Sequence, residues 1–351
     1  MVTIDGSYGE GGGQILRTSL ALAALTGRPL RMENIRAGRK NPGLAAQHLT
    51  AVRAAAQVCR AAVEGGALGS RTLIFRPTAP PQPGEYTFDV REARQGGSAG
   101  AVSLVFQTIH LPLSHADGES QVVLRGGTHV PWSPPVHYLM HVYLPTLARL
   151  GYQARLTLRQ WGWYPVGGGE VHAHIRGRTT DDGQRMAVDW TQRGDLKRVW
   201  GIAAVSNLPA HIPQRMADRA RKLLEREGIR ASIEPRCEGG PGIGAGIFLF
   251  AEYEHVVAGF STLGEKGKPA EKVAEAACRD LLAHRASGQA LEMHLADQVV
   301  LPLALLGRPA TFTTCRITAH LLTVLHVVQC FLDVRYRVEG REGEPGQVWM
   351  E

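Results

Sequence analysis

Apolar and polar positions follow a repeated order along the chain. Strand-like Val2-Thr3-Ile4 leads through Gly9-Glu10-Gly11-Gly12-Gly13 into a helical pattern from Gln14 to Leu25, which Gly27 stops. The loop Arg36-Ala37-Gly38-Arg39-Lys40-Asn41-Pro42-Gly43 follows. A second helical pattern runs from about Leu44 to Ala61, and strand-like Thr72-Leu73-Ile74-Phe75 closes the unit. The same order returns with strand-like Tyr86 to Val90, the loop Gly96-Gly97-Ser98-Ala99-Gly100 and a helix through Val105 and Ile109. It continues with strand-like Val122-Val123-Leu124, a helix from about Pro135 to Leu150, and a strand from Ala154 to Leu158. A third unit has helices from Leu295 to Leu306 and from about Thr318 to Phe331, then the alternating strand Val334-Arg335-Tyr336-Arg337-Val338.

Spacing locates an insertion. The first helices of units one and two begin 85 residues apart, at Gln14 and Ala99, whereas those of units two and three begin 196 apart, at Ala99 and Leu295. The excess of about 110 residues predicts an extra domain with its own pattern: strand-like Val199 to Val205, helical Gln214 to Glu227, strand-like Ile247 to Tyr253 and helical Ala270 to His284. The expected fold is α/β (α+β). Residues 1–185 and 287–351 would form a large domain of three units, and residues 186–286 a smaller inserted α/β domain.

Composition narrows the class. The 351 residues are 44% hydrophobic and 20% charged, a globular balance at a length that suggests about two domains. No apolar run approaches the roughly 18 residues that cross a bilayer, and Met1 to Gly6 has no secretory pattern. Five cysteines without a C-x-x-C pair argue against a disulfide framework or a disulfide-linked partner. A soluble protein with reduced thiols is expected, in the cytoplasm and not at a membrane. The net charge of +7 favours polyanionic partners such as nucleic acid or nucleotides.

Candidate chemistry concentrates in three places. Gly9 to Gly13 could cradle an anion at a helix start, or simply make a tight turn. It lacks the Lys-Ser/Thr of a phosphate loop and the acidic partner of a dinucleotide fingerprint. Glu10 beside such a cradle reads as a divalent-metal ligand or as a solvated carboxylate near a helix N-terminus. The run Arg36 to Gly43 holds three cations, with Arg17, Arg31, Gln47 and His48 close in sequence. Arginine suits bidentate phosphate recognition, though a charged loop can equally face solvent. Among 14 histidines, His172 and His174 alternate on a strand, His320 opens the last long helix, and His326 lies on another face of it. Neutral imidazole is nucleophilic, but the pattern alone does not select His320. No H-E-x-x-H motif occurs. The stretch Gly239 to Gly246 reads as a flexible turn of the inserted domain.

These residues resemble the RNA 3′-terminal phosphate cyclases. The resemblance is carried by Asp5-Gly6-Ser7-Tyr8-Gly9-Glu10-Gly11-Gly12-Gly13-Gln14-Ile15-Leu16-Arg17 and Ile35-Arg36-Ala37-Gly38-Arg39-Lys40-Asn41-Pro42-Gly43-Leu44. It continues through Gly97-Ser98-Ala99-Gly100 with Gln107, Gly126-Gly127-Thr128, Tyr164-Pro165-Val166-Gly167-Gly168-Gly169 and Leu295-Ala296-Asp297-Gln298, and spans about residues 3 to 338. It implies three βαβαββ units with a smaller domain inserted before the last. It also implies ATP-dependent conversion of an RNA 3′-phosphate to a 2′,3′-cyclic phosphodiester, with Mg²⁺ or Mn²⁺.

The implied nucleophile is His320, which would carry AMP covalently. Gln107 and His294-Leu295-Ala296-Asp297-Gln298 would bind ATP, and Glu10 would hold the metal. Arg17, Arg36 and Arg39 would meet triphosphate or RNA terminal phosphate, with Gln47 assisting. His294 departs from the tyrosine common in the family, which implies weaker or altered stacking on adenine. Two other readings remain: a non-catalytic RNA-binding or ribosome-assembly protein of the same fold, and an enolpyruvyl-transferase-like enzyme that needs no ATP.

Overall fold

The computed structural model describes residues 1–93, 98–178 and 186–351. Gly96 and Gly97 of the expected second loop, and the expected domain edge at residue 185, lie outside the described residues. The first sheet holds β1 (Val2–Asp5), β2 (Leu30–Glu33), β3 (Ala62–Glu64) and β4 (Leu73–Arg76), in the order β1-β2-β4-β3. Helix α1 (Gly13–Thr26) lies between β1 and β2, and α2 (Ala46–Cys59) between β2 and β3. Gly27 ends α1 in the left-handed region at φ 67°, as a glycine stop should.

The second sheet holds β5 (Glu85–Asp89), β6 (Glu119–Gly126), β7 (Ala154–Gln160) and β8 (Gly169–Arg176), in the order β5-β6-β8-β7. Helix α3 (Val102–Ser114) precedes β6. The expected helix from Pro135 to Leu150 divides into α4 (Val136–Tyr138), a π turn (Leu139–Tyr143) and α5 (Leu144–Ala148). Leu144 N–H reaches back to the Leu139 carbonyl, and Pro145 has no N–H for the regular pattern.

After β9 (Val188–Trp190) the chain builds β10 (Leu196–Ser206), α6 (His211–Arg226), β11 (Ala231–Glu238), β12 (Gly244–Tyr253), β13 (Val257–Leu263) and α7 (Ala270–Ser287). These four strands from β10 to β13 form one sheet in the order β11-β10-β12-β13. The chain returns through α8 (Met293–Gln298), α9 (Val300–Ala304), β14 (Ala310–Thr314), α10 (Ala319–Phe331), β15 (Tyr336–Glu339) and β16 (Gly346–Met350). The single helix expected from Leu295 to Leu306 is two short ones, because Pro302 cannot donate to the Gln298 carbonyl. Strand β9, grouped by spacing with the inserted segment, pairs in parallel with β14 in the sheet β9-β14-β16-β15.

Three sheets therefore share one pattern. In each, the first strand is parallel to the second, the second antiparallel to the fourth, and the third antiparallel to the fourth. The sheet from β10 to β13 has a different order. Its strand β12 is buried without a break from Gly246 to Ala251, as expected where both faces are covered. Helices α6 and α7 lie against the sheet, and Phe248 stacks on His137 at a ring distance of 5.2 Å. His137 Nδ1 is 2.9 Å from His129 Nε2, and His129 stacks on Trp161 at 4.3 Å. Burial pushes the His137 pKa down to about 3, so this joint is uncharged at neutral pH. The Gly239 to Gly246 stretch is held in place. Asn207 Nδ2 donates to the carbonyls of Gly240 and Gly242 at 2.9 and 3.0 Å, and its last three residues belong to β12.

Among the described residues no helix is long and apolar enough to cross a membrane, and all five cysteines are free thiols. Phe248→Ala should empty the joint between the β10–β13 sheet and the segments beside the β5–β8 sheet. The expected loss is about 3–5 kcal/mol by urea unfolding, with a loss below about 1 kcal/mol showing that the joint collapses to fill the space.

Candidate active site

The β1–α1 loop is built for close approach. Gly9 and Gly11 have φ of 60° and 59°, which glycine adopts without steric cost. A side chain on Gly9 would overlap Thr323 of α10, and one on Gly13 would overlap His48 Nε2 and lie 2.8 Å from Arg17 Nη1. The loop thus brings α1, α2 and α10 together at Glu10.

The Glu10 carboxylate faces two groups from distant segments. One oxygen pairs with Arg39 Nη2, and the other lies 2.5 Å from His320 Nε2. His320 sits in the first turn of α10, where Thr318 Oγ1 accepts the Leu321 N–H at 3.1 Å and fixes the helix start. Its pKa is held below the usual histidine value, first by burial; Glu10 opposes this, while Arg17, His294 and Arg39 add to it. A neutral, partly exposed imidazole results, which is the nucleophilic form.

Behind this pair lies a more buried layer. Arg17 is pushed down to about 10 by lost hydration, against the pull of Asp297 and Glu10. Asp297 is raised to about 7, chiefly by burial, although it accepts a 2.7 Å hydrogen bond from Gln14 Nε2. Glu292 caps α8, accepting the N–H groups of His294 and Leu295 at 2.7 Å each, and it also accepts the Tyr138 hydroxyl. Gln107 Nε2 donates to Gln298 Oε1 at 2.7 Å, which ties α3 to α8. Gln298 Nε2 in turn donates to the His294 carbonyl at 2.8 Å.

The structure brings Glu10, Arg17, Arg39, Asp297, His294 and His320 into one electrostatic cluster, with the Gln107–Gln298 pair that joins α3 to α8 beside it. Leu295 and Ala296 are fully buried core residues that support α8. Arg36 is turned to its own loop, where Nη1 donates to the carbonyls of Asn41 and Gly43 at 2.9 and 2.8 Å. Gln47 Oε1 accepts the Ala101 N–H at 3.1 Å and braces the start of α3. His326 stacks on Tyr8 at 4.0 Å, one turn and a half along α10 from His320.

Three participants carried no expected role: Gln14, His48 and Glu292. His48 is buried and pushed down to about 3, first by desolvation and then by Arg17 and Arg36. Its Nδ1 accepts the Ala45 N–H at 3.3 Å, so Nε2 carries the proton and faces the Gly13 backbone. The adjacency of Gln14 to the glycine loop was a visible signal. The roles of His48 and Glu292 depend on contacts far apart in sequence or on helix capping.

The profile of the family described as RNA 3′-terminal phosphate cyclase matches residues 8–338. A relative bearing that name in Gloeothece citriformis is 53% identical over 94% of this chain and 93% of its own length. Another, in Methylococcus capsulatus, is 56% identical over 95% and 93%. A third, in Methanopyrus kandleri, is 42% identical over 99% and 98%. The crystal structure of the enolpyruvyl transferase NikO from Streptomyces tendae superposes with a TM-score of 0.35 at 12% identity, covering 99% of this chain and 47% of that one. A likeness that slight carries no argument.

The Asp297 shift sets a pH dependence. The folded protein keeps this proton up to about pH 7, whereas the unfolded chain releases it near the ordinary carboxylate value of 3.8. Between those values the native state binds more protons, so this group's contribution to stability falls as pH rises. Asp297→Asn should remove that slope, gaining relative to wild type in urea unfolding from pH 5 to pH 7.5. A constant difference across that range would place the Asp297 pKa elsewhere.

Proposed function

The chain belongs to the RNA 3′-terminal phosphate cyclase family of enzymes, and we propose that it uses ATP to convert an RNA 3′-phosphate into a 2′,3′-cyclic phosphodiester through an adenylate carried on His320. The observation that carries this reading is the neutral His320 imidazole at the start of α10, with Nε2 against the Glu10 carboxylate.

Three transfers balance the reaction. His320 Nε2 attacks the α-phosphorus of ATP; a P–N bond forms and the bond to pyrophosphate breaks. Nε2 attacks with its own lone pair, the ring proton resting on Nδ1, and Glu10 Oε2, 2.5 Å away, offsets the positive charge that the ring gains. An oxygen of the RNA 3′-phosphate then attacks the AMP phosphorus, and His320 leaves as imidazole, giving an RNA–adenylate anhydride. The vicinal 2′-hydroxyl finally attacks the terminal phosphorus, closes the ring and expels AMP. Splitting the displacement in this way lowers each barrier.

Arg17 and Arg39 flank His320 and would stabilise charge on the transferring phosphates. Arg36 and Gln47 are assigned a supporting role for triphosphate or RNA terminal phosphate, since both brace the loops beside those arginines. His294, Leu295, Ala296, Asp297, Gln298 and Gln107 would form the nucleotide side of the site.

Glu10 also fits the divalent ion. It offers hard carboxylate oxygens, and among the described residues there is no group of three or more His, Cys, Asp or Glu that could hold an ion alone. That donor set suits Mg²⁺ or Mn²⁺ arriving with the triphosphate, whose oxygens and waters complete the shell. When bound, the ion would neutralise phosphate charge.

The architecture belongs to the same reading. The three sheets of common strand order are taken as three repeated units, and β10 to β13 with α6 and α7 as the insertion within the last.

Incubation with ATP labelled at the α-phosphate, with Mg²⁺ or Mn²⁺, tests the reading after denaturing electrophoresis. Wild type should keep the label and His320→Ala should lose it entirely. Label on the alanine variant moves the nucleophile elsewhere, and absence of label on both with ATP bound favours a non-catalytic RNA-binding role. Separately, His294→Tyr should tighten ATP binding about two- to tenfold by calorimetry, because a larger ring stacks better on adenine. Unchanged or weaker binding would remove His294 from the adenine face.

A further inference from the structure

The chemistry above needs only the last nucleotide of the RNA, yet a second surface runs from the same site. It is a chain of close contacts, several of which require glycine. His48 abuts Gly13, and the neighbouring Gln47 lies where a side chain on Gly100 would approach within 2.9 Å of its Cβ. Gly167 meets the Ala99 backbone, with 2.9 Å from its absent Cβ to Ala99 Cα. Gly168 meets Pro241 at 2.8 Å on the same measure, and Gly242 meets Val166 at 3.1 Å. The contacts lead from the β1–α1 loop to the turn between β11 and β12.

Large apolar side chains stand in water along this flank. Eight are exposed among the described residues, and four of them belong here: Trp132 at 100%, Tyr164 at 62%, Val166 at 52% and Ile243 at 63%. Trp132 is also held at φ 63°, a conformation bulky residues rarely adopt. Its loop is anchored: Val130 packs with Ala101 and Leu104, and Ser133 Oγ donates to the Val130 carbonyl at 3.0 Å. The Tyr164 segment is anchored by Trp163, which is buried and donates from Nε1 to Ser206 Oγ at 2.8 Å. Rigid supports thus present exposed rings, an arrangement strained enough to suggest use. Arg155 and Arg159 are exposed on β7, the strand that leads into the Trp163–Tyr164 turn.

We propose that Trp132 and Tyr164, with Val166 and Ile243 beside them, form a stacking platform for the single-stranded RNA nucleotides that precede the terminal phosphate. Every base has a π-face, so such a platform accepts RNA of any sequence. Its continuity with the Gly13–His48 contact would hold the 3′ end toward His320. This rests on the cyclase reading of that site.

The test uses the full chain without ATP and 5′-fluorescein oligoribonucleotides bearing a 3′-phosphate, two and ten nucleotides long, read by anisotropy. Wild type should bind the ten-mer much more tightly than the two-mer. Trp132→Ala and Tyr164→Ala should each weaken the ten-mer about fivefold or more and leave the two-mer unchanged. Trp132→Phe and Tyr164→Phe should keep most of the affinity, since the ring and not its polar group makes the contact. His320 labelling from ATP, measured in parallel, should be retained by all four variants. An unchanged length advantage in the double alanine variant overturns the platform. So does a double variant that turns a wild-type dimer into a monomer by sedimentation with RNA affinity intact, which would make the patch an interface between copies. Failure of wild type to label would sink the cyclase reading instead, while the length series would still decide the platform.

Discussion

One carboxylate organises the site. Glu10 lies between Arg39 and His320, with Arg17 behind, and these residues come from the β1–α1 loop, the loop before α2, the first turn of α10 and the body of α1. Without an anion at this point, Arg17 and Arg39 would face a histidine across a poorly hydrated space, and like charges there would repel. The glycines around Glu10 are the steric half of the same constraint. Any side chain at Gly9 or Gly13 would push α10 or His48 away and separate the carboxylate from its partners. Site electrostatics and helix packing are therefore one problem with one solution.

The second layer shows how burial tunes groups of one type differently. Arg17 and Asp297 are close enough to attract, yet desolvation outweighs that attraction for both: the guanidinium falls to about 10 and the carboxyl rises to about 7. Glu292, equally buried, spends its oxygens on two helix amides and the Tyr138 hydroxyl, so it serves as a structural cap. Position in the hydrogen-bond network, more than residue type, separates these roles.

Much of this was legible in the chain. The period of apolar positions predicted the long helices α1, α2, α7 and α10 within a few residues, and Gly27 marked the end of α1. Short edge strands such as β3 and β9 were not legible, since three residues give no period and their pairing is settled by distant partners. The breaks at Val299 and within 139–143 follow from Pro302 and Pro145, whose effect on a helix depends on which carbonyl is left without a donor. In the site, Glu10 and the arginine loop stood out by composition. His320 stood out only through the family motif, because helical position alone could not separate it from His326. The Gln107–Gln298 bond joins residues 191 positions apart, and only the fold brings them together.

That separation along the chain has a temporal side. Glu10 and His320 are 310 residues apart, and their contact needs the last long helix in place. A ribosome adding 5–20 residues per second takes roughly 15–60 s to cover that interval. During that time the glycine loop and its arginines have no imidazole opposite. All strands of three of the four sheets are therefore synthesised before the nucleophile.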